Sequence, residues 1–101
     1  MRSFRLALIG FGNVGQGFAQ ILNERGAAYE KEFELKLQIV AVSDMLKGSL
    51  YNPAGLDPAA LLEAIHDHGS LDPVQAPTRG WDALRTIAES DADVVVELSY
   101  T

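Results

Sequence analysis

The fold of this chain is decided by residues 4–15, which read FRLALIGFGNVG. The apolar run over residues 4–9 predicts a buried strand, and the pattern G-x-G-x-x-G follows at once at Gly10, Gly12 and Gly15. In this context Gly10 permits a tight turn, Gly12 lets a pyrophosphate approach the backbone, and Gly15 lets the following helix pack against the strand. The first-turn N–H groups of that helix favour an anion. The pattern therefore predicts dinucleotide binding, and its alternative is a glycine-rich turn that holds no ligand.

Length and composition limit what the chain can be. Its 101 residues, 48% of them hydrophobic, are enough for one small domain with a core. Because a complete doubly wound fold has two βαβαβ halves, we expect residues 1–101 to form one incomplete domain, the N-terminal portion of a longer protein. The 14 acidic and 8 basic residues give a net charge of −6, which argues against nucleic-acid binding.

Other functional classes are excluded by what the sequence lacks. There is no cysteine, so the chain has neither disulfides nor thiolate metal ligands. The N-terminus does not have the pattern of a signal peptide, and no apolar run approaches the ~20 residues that cross a bilayer. We therefore expect a cytoplasmic protein with no membrane partner.

Apolar periodicity predicts a strand–helix–strand unit at the start of the chain. The helix spans residues 13–33 and the second strand spans residues 35–42. The strands of such a unit are parallel, and its crossover is right-handed. The helix face predicted to be buried consists of Val14, Phe18, Ile21, Leu22, Arg25, Tyr29 and Phe33.

Turn residues divide the rest of the chain. Residues 43–56 are predicted to be a loop, and a helix follows with Asp57 as N-cap, Pro58 at its first position and Gly69 at its end. Residues 71–79 are predicted to be irregular, and residues 94–98 form the last strand, an exposed edge. A helix over residues 80–89 is predicted to bury Trp81, Leu84, Ile87 and Ala88. The predicted class is α/β, a Rossmann-type parallel sheet with flanking helices.

The ends of the predicted strands carry the remaining candidate site residues. In an open parallel sheet, ligands bind beyond the carboxyl ends of the strands. Asp44 ends the second strand and could accept hydrogen bonds from a ribose, which favours NAD over NADP, or it could only cap the next loop. Lys47 could contact a 2′-phosphate, or it is an exposed loop lysine, so the choice between NADP and NAD stays open. The last strand leads into Ser99, Tyr100 and Thr101.

Two further groups of polar residues carry no chemistry in this interpretation. His66 and His68 flank Asp67, but residues two apart on a helix do not share a face, so we predict no metal site. Ser99 and Thr101 have no visible paired base, so a hydroxyl contact to a cofactor is favoured over nucleophilic catalysis. No residue of the chain is predicted to be catalytic.

Four segments together resemble the N-terminal part of homoserine dehydrogenases. They are LIGFGNVG over residues 8–15, VAVSD over residues 40–44, GSLYNPAGLD over residues 48–57 and DVVVELSYT over residues 93–101. That family interconverts L-aspartate 4-semialdehyde and L-homoserine with NAD(P), in threonine and methionine biosynthesis. The resemblance implies that Asp44 or its neighbours meet the adenosine ribose. It also implies that a pyrophosphate is held by Gly10, Phe11, Gly12, Asn13, Val14 and Gly15, and that Ser99, Tyr100 and Thr101 lie near the nicotinamide.

The same resemblance limits what the chain can do alone. In that family the catalytic lysine, the acidic residues and the dimer contacts belong to a substrate domain that follows this point. Lys31, Lys36 and Lys47 match no such motif. We therefore expect the isolated chain to be inactive and its small-molecule substrate to bind only in the parent enzyme. The alternative is a regulatory module that senses a nucleotide without catalysis. A separate expectation comes from the exposed edge of the last strand, which predicts that the isolated chain pairs with a second copy as a homodimer or aggregates.

Overall fold

The computed structural model describes residues 1–98, which form five strands and three helices. In chain order the elements are β1 (Arg2–Ile9), α1 (Asn13–Phe33), β2 (Leu35–Asp44), β3 (Gly48–Tyr51), α2 (Pro58–His68), β4 (Thr78–Arg79), α3 (Ala83–Glu89) and β5 (Val94–Glu97). The strands form one sheet in the order β4-β3-β2-β1-β5. β1 is parallel to both β2 and β5, so the predicted α/β class with a parallel core is confirmed.

The region between β2 and α2 differs from the prediction. Residues 43–56 were expected to be a loop, but β3 lies within them and pairs antiparallel with β2, with Ser43 opposite Ser49. β4 adds two residues antiparallel to β3. A three-residue reversal after Asp44 and a positive φ of 111° at Gly48 allow the chain to fold back at once. The sheet is therefore mixed: β2, β1 and β5 are parallel neighbours, and β3 and β4 extend the sheet beyond β2 with antiparallel pairing.

The helix α1 has the predicted limits, but only part of its predicted face is buried. Leu22 is buried and Phe18 packs against the core, as predicted. The other buried residues are Gly15 and Ala19, whose small size lets the helix approach the sheet closely. The prediction was wrong for the residues that are exposed, which are Val14, Ile21, Arg25 and Phe33.

The two faces of the sheet are packed differently. Large side chains fill the face under α1 and α2, among them Leu8, Ile39 and Leu61. The other face carries Ala7, Val40 and Ala41. A register shift between Leu6 and Ala7 makes room for an extra residue in β2, which is why two consecutive β2 residues belong to this face.

The helix α3 covers the small face incompletely. Thr86 is its buried residue, whereas Leu84, Ile87 and Ala88 are exposed, so the burial predicted for these three side chains was wrong. Trp81 is half-buried and stacks on Tyr51 with ring centroids 5.0 Å apart. Leu84, Ile87 and Ala88 stay exposed because this short helix faces the small side chains of the sheet, which offer little apolar surface.

Polar contacts fix the end of β1 that lies away from the glycine turn. Arg5 Nη2 lies 2.6 Å from Asp91 Oδ2, and the Tyr51 hydroxyl donates to Asp91 Oδ1 at 2.8 Å. Asp93 Oδ2 accepts from the Arg5 amide at 2.9 Å. These bonds connect β1 and β3 to the segment before β5, and they hold the strand that carries the turn.

The edge strand and the helix ends agree with the sequence. β5 lies at the edge of the sheet, and Val94 and Val95 are each 40% exposed. Asp57 caps α2, Pro58 opens it, and Gly69 ends it in the left-handed conformation with φ of 70°. In the part of the chain that the structure describes, no helix is long and apolar enough to cross a bilayer.

Candidate cofactor-binding site

The carboxyl ends of β1 and β2 bring the glycine turn and Asp44 together. The Gly10 amide donates to the Ser43 carbonyl at 2.8 Å, which joins the turn to the last residues of β2. One residue later, the Phe11 amide donates to Asp44 Oδ2 at 2.7 Å. Two regions that are 33 residues apart in the sequence thus form one continuous edge, as expected for an open parallel sheet.

The three glycines of the turn are required for different reasons. Gly10 has φ of 99°, a conformation that a residue with a side chain rarely adopts. A Cβ at Gly15 would lie 2.8 Å from the Gly10 carbonyl oxygen, so α1 could not enter as it does. At Gly12, φ is −78° and a Cβ would meet no atom of residues 1–98 within 4 Å. The described part of the fold therefore explains Gly10 and Gly15 but gives no reason for a glycine at Gly12.

The helix that begins at this turn is uncapped. Gly12 is the N-cap of α1 and has no side chain to accept a hydrogen bond from the first turn. The first-turn N–H groups of a helix have no partner within the helix, and the helix dipole makes this end positive. Within the part of the chain that the structure describes, no side chain caps these donors, and open backbone donors at a helix N-terminus are the arrangement that binds phosphate groups.

The carboxylate of Asp44 is held by three backbone donors. Besides the Phe11 amide on Oδ2, Oδ1 accepts from the amides of Leu46 at 2.9 Å and Lys47 at 2.8 Å. Partial burial acts to raise the pKa of Asp44, but the bonds from Phe11, Lys47 and Leu46 and the charge of Lys47 outweigh it, so this pKa lies below its ordinary value. The group is therefore a carboxylate at neutral pH.

The other predicted site residues are placed as follows. The Phe11 side chain is fully buried in the core, so only its backbone faces the turn. Asn13 and Val14 lie exposed on the first turn of α1. The predicted contacts Ser99, Tyr100 and Thr101 lie outside the described residues.

The residues rejected as metal ligands lie on the surface. His66 Nδ1 is 2.9 Å from Asp67 Oδ1, and both side chains are at least half exposed. Among residues 1–98 there is no group of three or more histidine, aspartate or glutamate side chains arranged to hold a metal ion.

One residue at the turn was missed by the sequence reasoning. Gln16 lies one turn into α1, and its Nε2 donates to the Phe11 carbonyl at 3.0 Å. Its spacing of five residues from Phe11 was the available signal, because a long amide side chain in the first turn of a helix can reach back over the N-terminus.

An open groove between α1 and α2 begins beside the turn. It runs from Asn13 along α1 toward Glu24, and Leu62, Ile65 and His66 of α2 form its other wall. The groove extends away from Asp44 along the helix, so the glycine turn and Asp44 form a separate surface at the sheet edge.

The fold and the glycine turn define a Rossmann-type α/β domain. The sequence model of the family described as Glutamate/Leucine/Phenylalanine/Valine dehydrogenase matches residues 1–97, and the chain belongs to that family.

Relatives with known names make the comparison more specific. The chain is 36% identical over 103 residues to an NAD(+)-dependent homoserine dehydrogenase from Pseudomonas canavaninivorans, covering 100% of this chain and 29% of that protein. It is 30% identical over 94 residues to a homoserine dehydrogenase from Methanocaldococcus jannaschii, covering 93% of this chain and 27% of that protein. The resemblance to homoserine dehydrogenases is thereby confirmed, and the chain spans less than a third of the length of these relatives.

A solved structure shows the same fold. The chain superposes with a TM-score of 0.76 on a hyperthermophilic archaeal homoserine dehydrogenase in complex with NADPH, at 19% identity. The superposition covers 98% of this chain and 29% of the other.

Proposed function

We propose that the chain is the cofactor-binding portion of an NAD(P)-dependent homoserine dehydrogenase. The observation that carries the proposal is Gly12, which no contact among residues 1–98 requires and which begins a helix without a side-chain cap. Homoserine dehydrogenases are its relatives in sequence, and one neighbour in structure is a complex with NADPH. A Cβ at Gly12 would project into the space that a diphosphate needs, so the turn fits such a cofactor.

Each part of the turn has a role in holding the cofactor. The N–H groups of residues 13–15 would bind the diphosphate at the N-terminus of α1. Asp44 would accept a hydrogen bond from a hydroxyl of the adenosine ribose. A carboxylate can accept about four hydrogen bonds, and backbone amides of the described residues donate three to Asp44, which leaves about one position for the ribose. Gly10 and Phe11 would shape the turn, and Asn13 and Val14 would flank the diphosphate. Ser99, Tyr100 and Thr101 would lie near the nicotinamide, as the family resemblance implies.

The cofactor supplies the hydride chemistry when it is bound. This chain would bind and orient it, while the substrate, L-aspartate 4-semialdehyde or L-homoserine, would be held elsewhere in the parent enzyme. We therefore expect no hydride transfer by residues 1–101 alone. Oxidation of NADPH by this chain with aspartate semialdehyde at an enzyme-like rate would contradict that expectation.

The state of Asp44 favours NAD over NADP. Three backbone bonds fix the carboxylate, and it is ionised at neutral pH. A 2′-phosphate would therefore approach a fixed negative charge, and Lys47 would compensate only part of it. We expect NADH to bind at least about tenfold more tightly than NADPH, a difference of about 1.4 kcal/mol.

Calorimetric titration with NADH and NADPH tests the function. We expect heat of binding for NADH with the wild-type chain and none with Gly12→Val, in which the new side chain blocks the diphosphate. Gly26→Val is the matched control, since Gly26 also has open space around it but lies far along α1 from the turn. Unchanged NADH binding by Gly12→Val would overturn the assignment. Tighter binding of NADPH than of NADH would overturn the assignment of Asp44.

A second substrate class follows from the family description. The matching family is named for dehydrogenases of glutamate, leucine, phenylalanine and valine, so the parent enzyme could act on one of these amino acids. Activity of the full-length parent with homoserine and not with these four amino acids would favour the first proposal.

For the homoserine enzyme we propose a cytoplasmic role in threonine and methionine biosynthesis. We also propose a homodimer, and the exposed edge of β5 offers a surface for self-association.

A further inference from the structure

Both backbone polar groups of Phe11 are bonded to side chains from other parts of the chain. Its N–H donates to Asp44 Oδ2 at 2.7 Å, and its carbonyl accepts from Gln16 Nε2 at 3.0 Å. Its aromatic ring is fully buried in the core below the turn. The residue between Gly10 and Gly12 is thus fixed by its N–H, its carbonyl and its side chain.

We propose that Asp44 and Gln16 are positioning residues that brace the glycine turn in the shape that receives a diphosphate. This inference rests on the proposed function and assigns Asp44 a second role besides contact with the ribose. Two glycines flank Phe11, and glycine allows the widest range of backbone conformations, so such a turn loses the most freedom when it is ordered. Contacts that order the turn before the ligand arrives remove part of this cost from binding.

The two roles of Asp44, as a brace of the turn and as an acceptor for the ribose, make opposite predictions for how Asp44→Asn changes the affinity for a ligand without ribose hydroxyls. A negative charge at Asp44 near a diphosphate disfavours its binding. If Asp44 only accepts ribose hydroxyls, its neutralisation leaves binding of 2′,3′-dideoxy-ADP unchanged or tightens it. If Asp44 braces the turn, Asp44→Asn weakens that binding, because the amide cannot accept from Phe11 and also from Leu46 and Lys47 as the carboxylate does.

The chain contains a matched pair of glutamines for the second half of the test. Gln16 and Gln20 lie one turn apart on α1, and both side-chain amides donate a hydrogen bond. Gln16 bonds the Phe11 carbonyl, whereas Gln20 bonds only the exposed Glu24 side chain at 3.2 Å. The change to methionine keeps the length of each side chain and removes its donor, so the two variants differ only in whether the turn loses a bond.

The experiment measures binding of 2′,3′-dideoxy-ADP and of adenosine by NMR titration of the full chain, with the melting temperature of each variant. We expect Asp44→Asn and Gln16→Met to weaken dideoxy-ADP binding five- to tenfold. Gln20→Met should stay within twofold of wild type, and Gln16→Met should leave adenosine binding unchanged, because adenosine has no diphosphate. A merely structural role of Gln16 would lower the melting temperature and affect both ligands alike.

Two results would overturn the brace while the proposed function stands. They are equal dideoxy-ADP affinities of Gln16→Met and Gln20→Met, and tighter binding by Asp44→Asn, each with normal NADH binding by the wild-type chain. Gln16→Met carries the test alone if Asp44→Asn does not fold. Failure of the wild-type chain to bind NADH would instead overturn the proposed function, and the brace with it.

Discussion

The N-terminus of α1 and the N-terminus of α2 meet the same chemical requirement in opposite ways. At α2, the Asp57 carboxylate accepts from the Ala59 amide at 3.1 Å, and Pro58 removes one donor altogether. At α1, Gly12 offers no side chain, so the donors of the first turn stay open. A carboxylate from β2, that of Asp44, instead accepts from the Phe11 amide, one residue before this N-cap.

This difference separates a helix end built for stability from one left open for a ligand. An aspartate N-cap stabilises a helix by about 1 kcal/mol relative to alanine, and glycine gives much of the same benefit only through its backbone. The ends of α2 and α3 carry their own acceptors, since Asp57 and Asp82 each accept one hydrogen bond from the first turn of their helix. At α1 an external anion would complete the end, which is why the open helix coincides with the glycine turn.

Adding an N-cap side chain to α1 should have the largest effect on NADH binding, because it makes the N-terminus of α1 like that of α2. Gly12→Asp is compatible with the φ of −78° at this position and gives the first turn its own acceptor. It also places a charge against the diphosphate, and two unit charges about 4 Å apart interact by about 4 kcal/mol near a protein surface. We expect NADH affinity to fall more than about 100-fold, equivalent to about 2.7 kcal/mol. The free energy of unfolding should rise by a few tenths of a kcal/mol, to about 1 at most.

Calorimetry and thermal unfolding of the same sample measure both effects. Gly12→Ala is the comparison variant: it adds the Cβ, which itself should weaken NADH binding, without a charge or a cap, so the difference between the two variants gives the effect of the carboxylate. Wild-type NADH affinity in Gly12→Asp would show that no diphosphate lies at this end of α1.

A change three residues further on should act on stability. Gly15→Ala places a Cβ 2.8 Å from the Gly10 carbonyl oxygen and 3.3 Å from the Phe11 ring, both of which are held in place. Overpacking of this kind costs about 1–3 kcal/mol, and we expect a value of about 2 kcal/mol because the closer contact is backbone. Urea unfolding monitored by circular dichroism measures it. Gly12→Ala should cost less, about 0.5–1 kcal/mol, because alanine is a poorer N-cap than glycine but meets no close contact there, and equal losses at both positions would contradict the distinction between them.

The sequence was sufficient for the parts of the fold that depend on local signals. The limits of α1, the caps of α2 and the parallel pair of β1 and β2 follow from periodicity, from Asp57 and Gly69, and from the rule for βαβ units. β3 was missed because four residues, GSLY, are too few to show an alternating pattern, and the nearby glycines and proline favoured a loop.

Burial was harder to predict than secondary structure. Ranking by hydrophobicity favoured Val14 and Ile21 in α1, but the sheet selects the smallest face, since Gly15 must approach the Gly10 carbonyl. The same ranking favoured Leu84 and Ile87 in α3, whose burial depends on what covers this face of the sheet. Neither choice can be made without the tertiary contacts.

The candidate site was predicted in part. Topology alone placed Asp44 beside the glycine turn, because the carboxyl ends of parallel neighbours meet at one edge. The spacing between Gln16 and Phe11 allows their hydrogen bond but does not determine it, because the bond also depends on the side-chain conformation of Gln16. The motif also could not show which of its glycines the fold requires, since that depends on distances such as those around Gly12 and Gly15.

Removing the cap of α2 should give the smallest effect and complete the comparison. Asp57→Ala deletes the acceptor for the Ala59 amide, and loss of an N-cap costs about 1 kcal/mol within a range of about 0.5–2. Asp57 lies at a helix end that carries no part of the glycine turn, so NADH affinity should stay within about twofold of wild type, a difference of about 0.4 kcal/mol. Urea unfolding and calorimetry on the same variant measure the two quantities. A loss of affinity without a loss of stability would mean that α2 also presents its N-terminus to the cofactor, and the contrast between the two helix ends would not hold.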